Sequence, residues 1–323
     1  MTPQKALLLF LTLISLIIFG RPPSLAQEAQ NFSTKEIELP DTTLLYVSDY
    51  ISFIGEDKQG HVAFALDTNR GRDGEFFQAE HFVVLHDENQ GWLKVEGNGP
   101  YENTKNELLS VPDSQVFQFS GKPKSGWTIV SLPNRLTITM APLPERISKS
   151  EDGGEFWMGS APATLEWGER ILKGRVIYEF ILMPDFNRLT RTYWALWNEF
   201  QGFYASVKGL GDLYLHSQQS ELIAPLIGRL NGFQTVQGET EPFQKLQLTT
   251  VEFDQGFGFY TWPKKWEANW SSSKGAGTVH LELSEFNRIA NWFIGGFSMG
   301  IVRGEVTYMG QTYETYGLVE LIM

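Results

Sequence analysis

A chain of 323 residues with a formal net charge of −12 and no cysteine excludes several classes of protein at once. An acidic surface repels nucleic acid and anionic lipid, and no basic cluster offsets it. Without cysteine there is no disulfide, no thiolate nucleophile and no cysteine-built zinc site, so the fold rests on its core alone.

The N-terminus carries Lys5, the apolar run Ala6–Phe19, Arg21-Pro22-Pro23 and the small-residue end Ser24-Leu25-Ala26. This order predicts a secretory signal over residues 1–26 and a periplasmic or secreted mature protein. The run is shorter than the about 20 apolar residues a spanning helix needs, so no integral membrane span is expected after cleavage.

From Lys35 to Trp92 short alternating segments recur, LLYVSDYISFIG, HVAFALDT and EFFQAEHFVVLHD, separated by the polar turns EDKQG, NRGRDG and DENQG. That is the pattern of an antiparallel meander. Leu108–Phe119, Trp127–Ser131 and Leu136–Met140 continue it. The stretch Gly154–Met183 then reads as two long strands joined by a turn. Side chains alternate along a strand, so Val176, Tyr178, Phe180 and Leu182 share one face and Ile177, Glu179 and Ile181 the other. The spacing of Leu222, Leu226 and Leu230 predicts one short helix over Ser220–Gly232. Strands return over Leu246–Phe253, Gly256–Trp266 and Thr278–Leu283, and in the closing pair GIVRGEVTYMG and TYETYGLVELIM around a turn containing Gly310. Nothing alternates strand with helix, which argues against a doubly wound fold, and the aromatic, glycine-rich strands point to barrels or sandwiches.

Four segments carry a resemblance: LLYVSDYISFIGEDKQGHVAFALD with EFFQAEHFVVLHD, the central WMGSAPATLEWGERILKGRVIYEFI, FGFYTWPKKWEANW, and the ending RGEVTYMGQTYETYGLVELIM. In that order the chain resembles the hydroxyneurosporene synthases (carotenoid hydratases) and their attachment-protein relatives. The resemblance implies two lipocalin-like antiparallel barrels in tandem, over residues 27–190 and 191–323. It also implies an apolar ligand, lipid or isoprenoid, and hydration or cyclisation chemistry if the ligand reacts. Two departures stand out. Leu44-Leu45-Tyr46 replaces an early tryptophan pair before tyrosine, and Tyr178-Glu179-Phe180-Ile181 stands where the family keeps an acid–histidine–tryptophan–glycine cluster. A binding protein is therefore expected ahead of a hydratase.

Glu179 is the acid that fits such chemistry, because a carboxyl in apolar surroundings stays protonated near neutrality and can protonate a double bond. The competing reading is an acid in solvent or paired with Arg188 or Arg191. His216 and Tyr178 are the assisting candidates, and Trp157, Trp167, Trp194, Trp197, Tyr260 and Trp262 are the aromatic faces available to a ligand or a carbocation. A carbohydrate reading, with tryptophans stacking on sugars and Glu155, Glu166 and Glu179 as paired acids, is the alternative. Glu166 is expected at the surface.

Gly296-Phe297-Ser298-Met299-Gly300 matches a nucleophile elbow, but the strand that follows and the lack of any later histidine exclude a triad. His81 and His86 fall on opposite strand faces and read as solvated, and Asp67–Gly74 reads as an acidic hairpin loop, since Arg72 occupies the position where a calcium loop needs glycine. No metal site and no cofactor are expected.

Overall fold

The computed structural model describes residues 41–102, 117–122, 125–132, 134–143, 147–151, 154–186, 200–218, 230–255, 261–292 and 295–322. The first sheet is built from β1 (Leu44–Asp57), β2 (Gly60–Asp73), β3 (Phe76–Asp87), β4 (Gly91–Glu102), β5 (Phe117–Lys122), β6 (Gly126–Ser131), β7 (Leu136–Met140), β8 (Ile147–Glu151), β9 (Gly154–Trp167) and β10 (Arg170–Pro184). The second contains β11 (Phe200–Val207), β12 (Gly211–Gln218), β13 (Leu230–Val236), β14 (Glu239–Pro242), β15 (Lys245–Gln255), β16 (Thr261–Ser271), β17 (Ala276–Trp292), β18 (Gly295–Tyr308) and β19 (Gln311–Ile322).

Both sheets follow one plan. The first runs β4-β3-β2-β1-β10-β9-β7-β6-β5, with β8 also pairing β9, and the second runs β14-β13-β12-β11-β19-β18-β17-β16-β15. In each, the first and last strands in sequence lie side by side at the centre. The central hairpin β9–β10 therefore sits in the middle of the first sheet rather than at its edge.

Each sheet curls over an interior of its own. In the first, Phe117, Trp127, Ile129 and Ile138 from one side meet Val62, Phe64 and Leu85 from the other. In the second, Trp262, Trp266 and Trp270 meet Phe203, Leu213 and Leu215. A third cluster, including Tyr46, Tyr50, Ile177, Tyr204, Tyr214 and Leu318, lies between the sheets. The strands touching this layer are covered on both faces, which explains the unbroken burial from Leu45 to Gly55 in β1, whereas β6 and β7 keep one face near water and alternate. Covered sheets favour continuous apolar runs and half-exposed ones favour alternation.

Three sequence expectations change. Asn69–Asp73, read as part of a turn, continues β2, because Arg70 is buried and pairs with Asp49 inside the first sheet; the turn is confined to Gly74 and Glu75. Of the predicted helix over Ser220–Gly232, the last three residues open β13 and the rest lies outside the described residues. The strand expected over Gly256–Trp266 is described from Thr261 and runs on to Ser271. Among the described residues no helix is long and apolar enough to cross a membrane.

Candidate functional site

Glu179 stands on β10 opposite Tyr50 of β1, which in turn stands opposite Asp67 of β2. The alternation that puts Tyr178 into the first interior turns Glu179 toward the second sheet, where it is 6% exposed. The Tyr214 hydroxyl, on β12, donates to the Glu179 carboxylate, and the same oxygen lies 2.8 Å from Nδ1 of His216. Burial pushes the Glu179 carboxyl up to about 7. The Tyr214 hydrogen bond opposes that rise and the nearby Asp67 charge adds to it. The cause is ordinary: an ion removed from water is disfavoured, and a neighbouring anion disfavours it further.

The surroundings are aromatic. Tyr50 stacks on Tyr204 with centroids 4.5 Å apart, and Tyr204 packs 5.2 Å from Tyr214. Phe156 and Phe200 lie 5.8 Å from the His216 ring. Burial, helped by nearby carboxylates, raises the hydroxyls of Tyr50, Tyr204 and Tyr214 well above their usual range, so they stay protonated. A second buried acid, Glu320 of β19, accepts from the Tyr204 hydroxyl at 3.4 Å. Gly202 is the cross-strand neighbour of both His216 and Glu320, and its missing side chain makes room for the Phe200 ring and the Tyr204 hydroxyl.

This arrangement can store and move one proton. With Glu179 ionised, Tyr214 donates to it and His216 donates from Nδ1 to the phenol oxygen. With Glu179 protonated, both bonds reverse and His216 carries its proton on Nε2. The tyrosine thus couples the protonation of Glu179 to the tautomer of His216.

Tyr178 lies apart from this group, on the opposite side of β10. Its hydroxyl donates to Asp49, which also pairs with the buried Arg70, and its ring makes T-shaped contacts with Trp127 and Trp157 at centroid distances of 4.5 and 4.6 Å. His81 lies in that interior too, 2.7 Å from Thr68 Oγ1, and burial holds its ring down to about 4. His86 faces the other way, with Nδ1 3.0 Å from the Tyr316 hydroxyl of the second sheet. Both histidines are buried, which corrects the solvated reading.

The aromatic candidates are divided as well. Trp157 and Trp167 belong to the first interior and Trp262 to the second, with the Arg288 guanidinium 4.8 Å over its ring. Trp194, Trp197 and Tyr260, like Arg188 and Arg191, lie outside the described residues. Glu166 is exposed near the β9–β10 turn opposite Ile171, and Glu155 is opposite Leu182, so no two of Glu155, Glu166 and Glu179 are cross-strand partners. Ser298 is buried within β18. Among the described residues no group of three acidic or histidine side chains stands close enough to hold a metal ion.

Sequence reasoning singled out Glu179 and His216 but missed Tyr214, which joins them, and Tyr50, Tyr204 and Glu320 around them. A signal was present. Tyr214 and His216 share a face in Leu213–Ser217, and the Val-Glu-Leu of β19 echoes the Tyr-Glu-Phe of β10.

No known family profile matches the sequence, and no curated protein is similar to it. Solved structures are similar in fold. A provisionally named AttH protein from Nitrosomonas europaea aligns with a TM-score of 0.59 at 11% identity, over 93% of this chain and 98% of its own. Kievitone hydratase from Nectria haematococca gives 0.53 at 11% identity, over 94% and 98% of the two chains. CghA bound to Sch210972 gives 0.53 at 11% identity, over 93% and 98%. The two curled antiparallel sheets, of ten and nine strands, are therefore the tandem lipocalin-like fold that these structures share.

Proposed function

We propose that this chain is an exported protein that binds an apolar small molecule, a lipid or isoprenoid, between its sheets, and that Glu179 delivers a proton to a carbon–carbon double bond of that ligand. The observation that carries the reading is the buried Glu179 carboxyl, raised to about 7 and joined through Tyr214 to His216. An acid poised near the working pH serves as both donor and acceptor.

Each step balances. The protonated Glu179 gives its proton to one alkene carbon, the π pair forms the new C–H bond, and the other carbon becomes a cation. The faces of Tyr50, Tyr204 and Tyr214 shelter that cation. Water adds to it and returns a proton to the Glu179 carboxylate, for a net hydration. His216 of β12, joined to Glu179 through Tyr214, supports the reading as the assisting group. A hydratase and a small-molecule complex among proteins of this fold agree with the reading without assigning the ligand.

The test is Glu179→Gln, assayed on whatever apolar molecule co-purifies with the native protein and is identified by mass spectrometry. Turnover should vanish while ligand affinity stays near wild type. Equal turnover by the variant would remove Glu179 from the mechanism, and an empty protein from its own host would count against a carrier role. For export, N-terminal sequencing of the mature protein should begin at Gln27.

A further inference from the structure

The layer that buries Glu179 reaches Ile54 and Tyr316 at one end. There the sheets leave a cleft of about 380 Å³, lined from the first sheet by Ile54, Glu56, His61 and Lys173, and from the second by Lys208, Arg303, Glu314 and Tyr316. The floor is apolar and aromatic, since Ile54 belongs to the inter-sheet core and the His61 ring stacks on Tyr316 at 4.3 Å. The rim is charged, and its cations are held unevenly. Glu88 holds both His61, at 2.9 Å, and Arg303, at 2.8 Å, and Glu56 approaches His61 at 3.3 Å. Lys208 comes only within 4.0 Å of Glu314, with both side chains largely exposed, a pair that contributes little. Lys173 stands opposite Glu56 of β1 in the strand register, with no ion pair within 4 Å among the described residues. In a chain of net charge −12, Lys173 and Lys208, one from each sheet, are thus only loosely held beside Glu56 and Glu314 and can turn to an anion over an apolar floor.

We infer that this cleft binds the oxyanion head group, carboxylate or phosphate, of an amphipathic ligand whose apolar chain enters the inter-sheet layer past Ile54. The inference rests on the reading above that the protein takes an apolar ligand, and it adds the class of that ligand. Lys173 and Glu179 lie on the same face of β10, six residues apart, or roughly 20 Å along an extended strand. A head held by Lys173 and Lys208 therefore sets Glu179 against the distal part of a long chain rather than against carbons next to the head. Charge at the cleft selects the ligand's end, and the apolar layer selects its body.

Matched probes that differ only at the head test this on the full chain: retinoic acid against retinol, and farnesyl phosphate against farnesol, each followed by quenching of tryptophan fluorescence. The anionic member of at least one pair should bind at least tenfold more tightly than its alcohol, and the pair showing the larger preference identifies the head. Lys173→Ala/Lys208→Ala, two substitutions at the cleft rim, should bring acid and alcohol within twofold by weakening only the anionic probe. Equal affinities in the wild type, or a preference that survives in the double variant, would overturn the inference while leaving apolar binding intact. Failure of all four probes to bind would instead overturn the apolar-ligand reading, and this inference with it.

Discussion

Glu179 and Glu320 occupy the same place in their two sheets: each is the tenth residue of the last strand, and each is buried in the layer between the sheets. Their settings differ in one respect. Glu179 is opposite Tyr50, whereas Glu320 is opposite Gly202. A shared plan thus places two acids in one layer, and the tyrosines around them give each its own hydrogen bond.

Tyr214→Phe removes the hydrogen bond that lowers the Glu179 carboxyl, so Glu179 should titrate above about 7. Carbon-13 NMR of labelled glutamate checks this directly. The variant should also lose about 1–3 kcal/mol of stability, because buried polar atoms on Glu179 and His216 lose a partner. An unchanged titration midpoint would separate Tyr214 from the acid.

Stability should depend on pH through the same group. The Glu179 carboxyl is raised from 4.5 to about 7 by folding, so its contribution is present in full below 4.5 and is lost as pH rises through 7. The loss is at most about 3 kcal/mol, at 1.36 kcal/mol per pH unit. His81 is lowered from 6.5 to about 4, and so acts in the opposite sense over an overlapping window. Urea titrations of wild type and Glu179→Gln across pH 4 to 8 separate the two effects, and the difference between them should fall as pH rises.

Arg175 and Asp212 tie the sheets together, with Ser160 bonded to both, and Asp212 is almost wholly buried. Arg175→Met should cost about 3–5 kcal/mol, because it strands a buried carboxylate, while Arg175→Met/Asp212→Asn should recover most of that loss. Denaturant midpoints read both. Equal instability of the single and double variants would contradict the account.

Ser298→Ala should leave any turnover unchanged. The serine hydroxyl is buried in β18 without a hydrogen-bond partner among the described residues, so its removal should leave stability unchanged or raise it by about 1 kcal/mol. Loss of activity in this variant would restore the nucleophile reading that the strand context excludes.

Much of the fold was legible from local pattern. The strands of the central hairpin, the division of Val176–Leu182 into two faces and the strands at Trp127–Ser131 and Leu136–Met140 all follow from period-two alternation, which depends only on backbone geometry. The polar run Asn69–Asp73 misled because its composition is that of a turn. What keeps it in β2 is Asp49, on a neighbouring strand, and no local pattern shows that partner.

The site divides in the same way. That Glu179 and Tyr178 point in opposite directions was written in the sequence, as were the acidic balance, the lack of thiols and the antiparallel class. Which direction meant solvent was not. A strand's pattern states that it has two faces, but the medium on each face is set by what packs there, and for β10 that is a second sheet whose Tyr214 lies 35 residues away in sequence. Only the meeting of the two curled sheets removes water from Glu179, raises its carboxyl and brings His216 to it through a tyrosine, because desolvation and hydrogen bonding act through space and not along the chain.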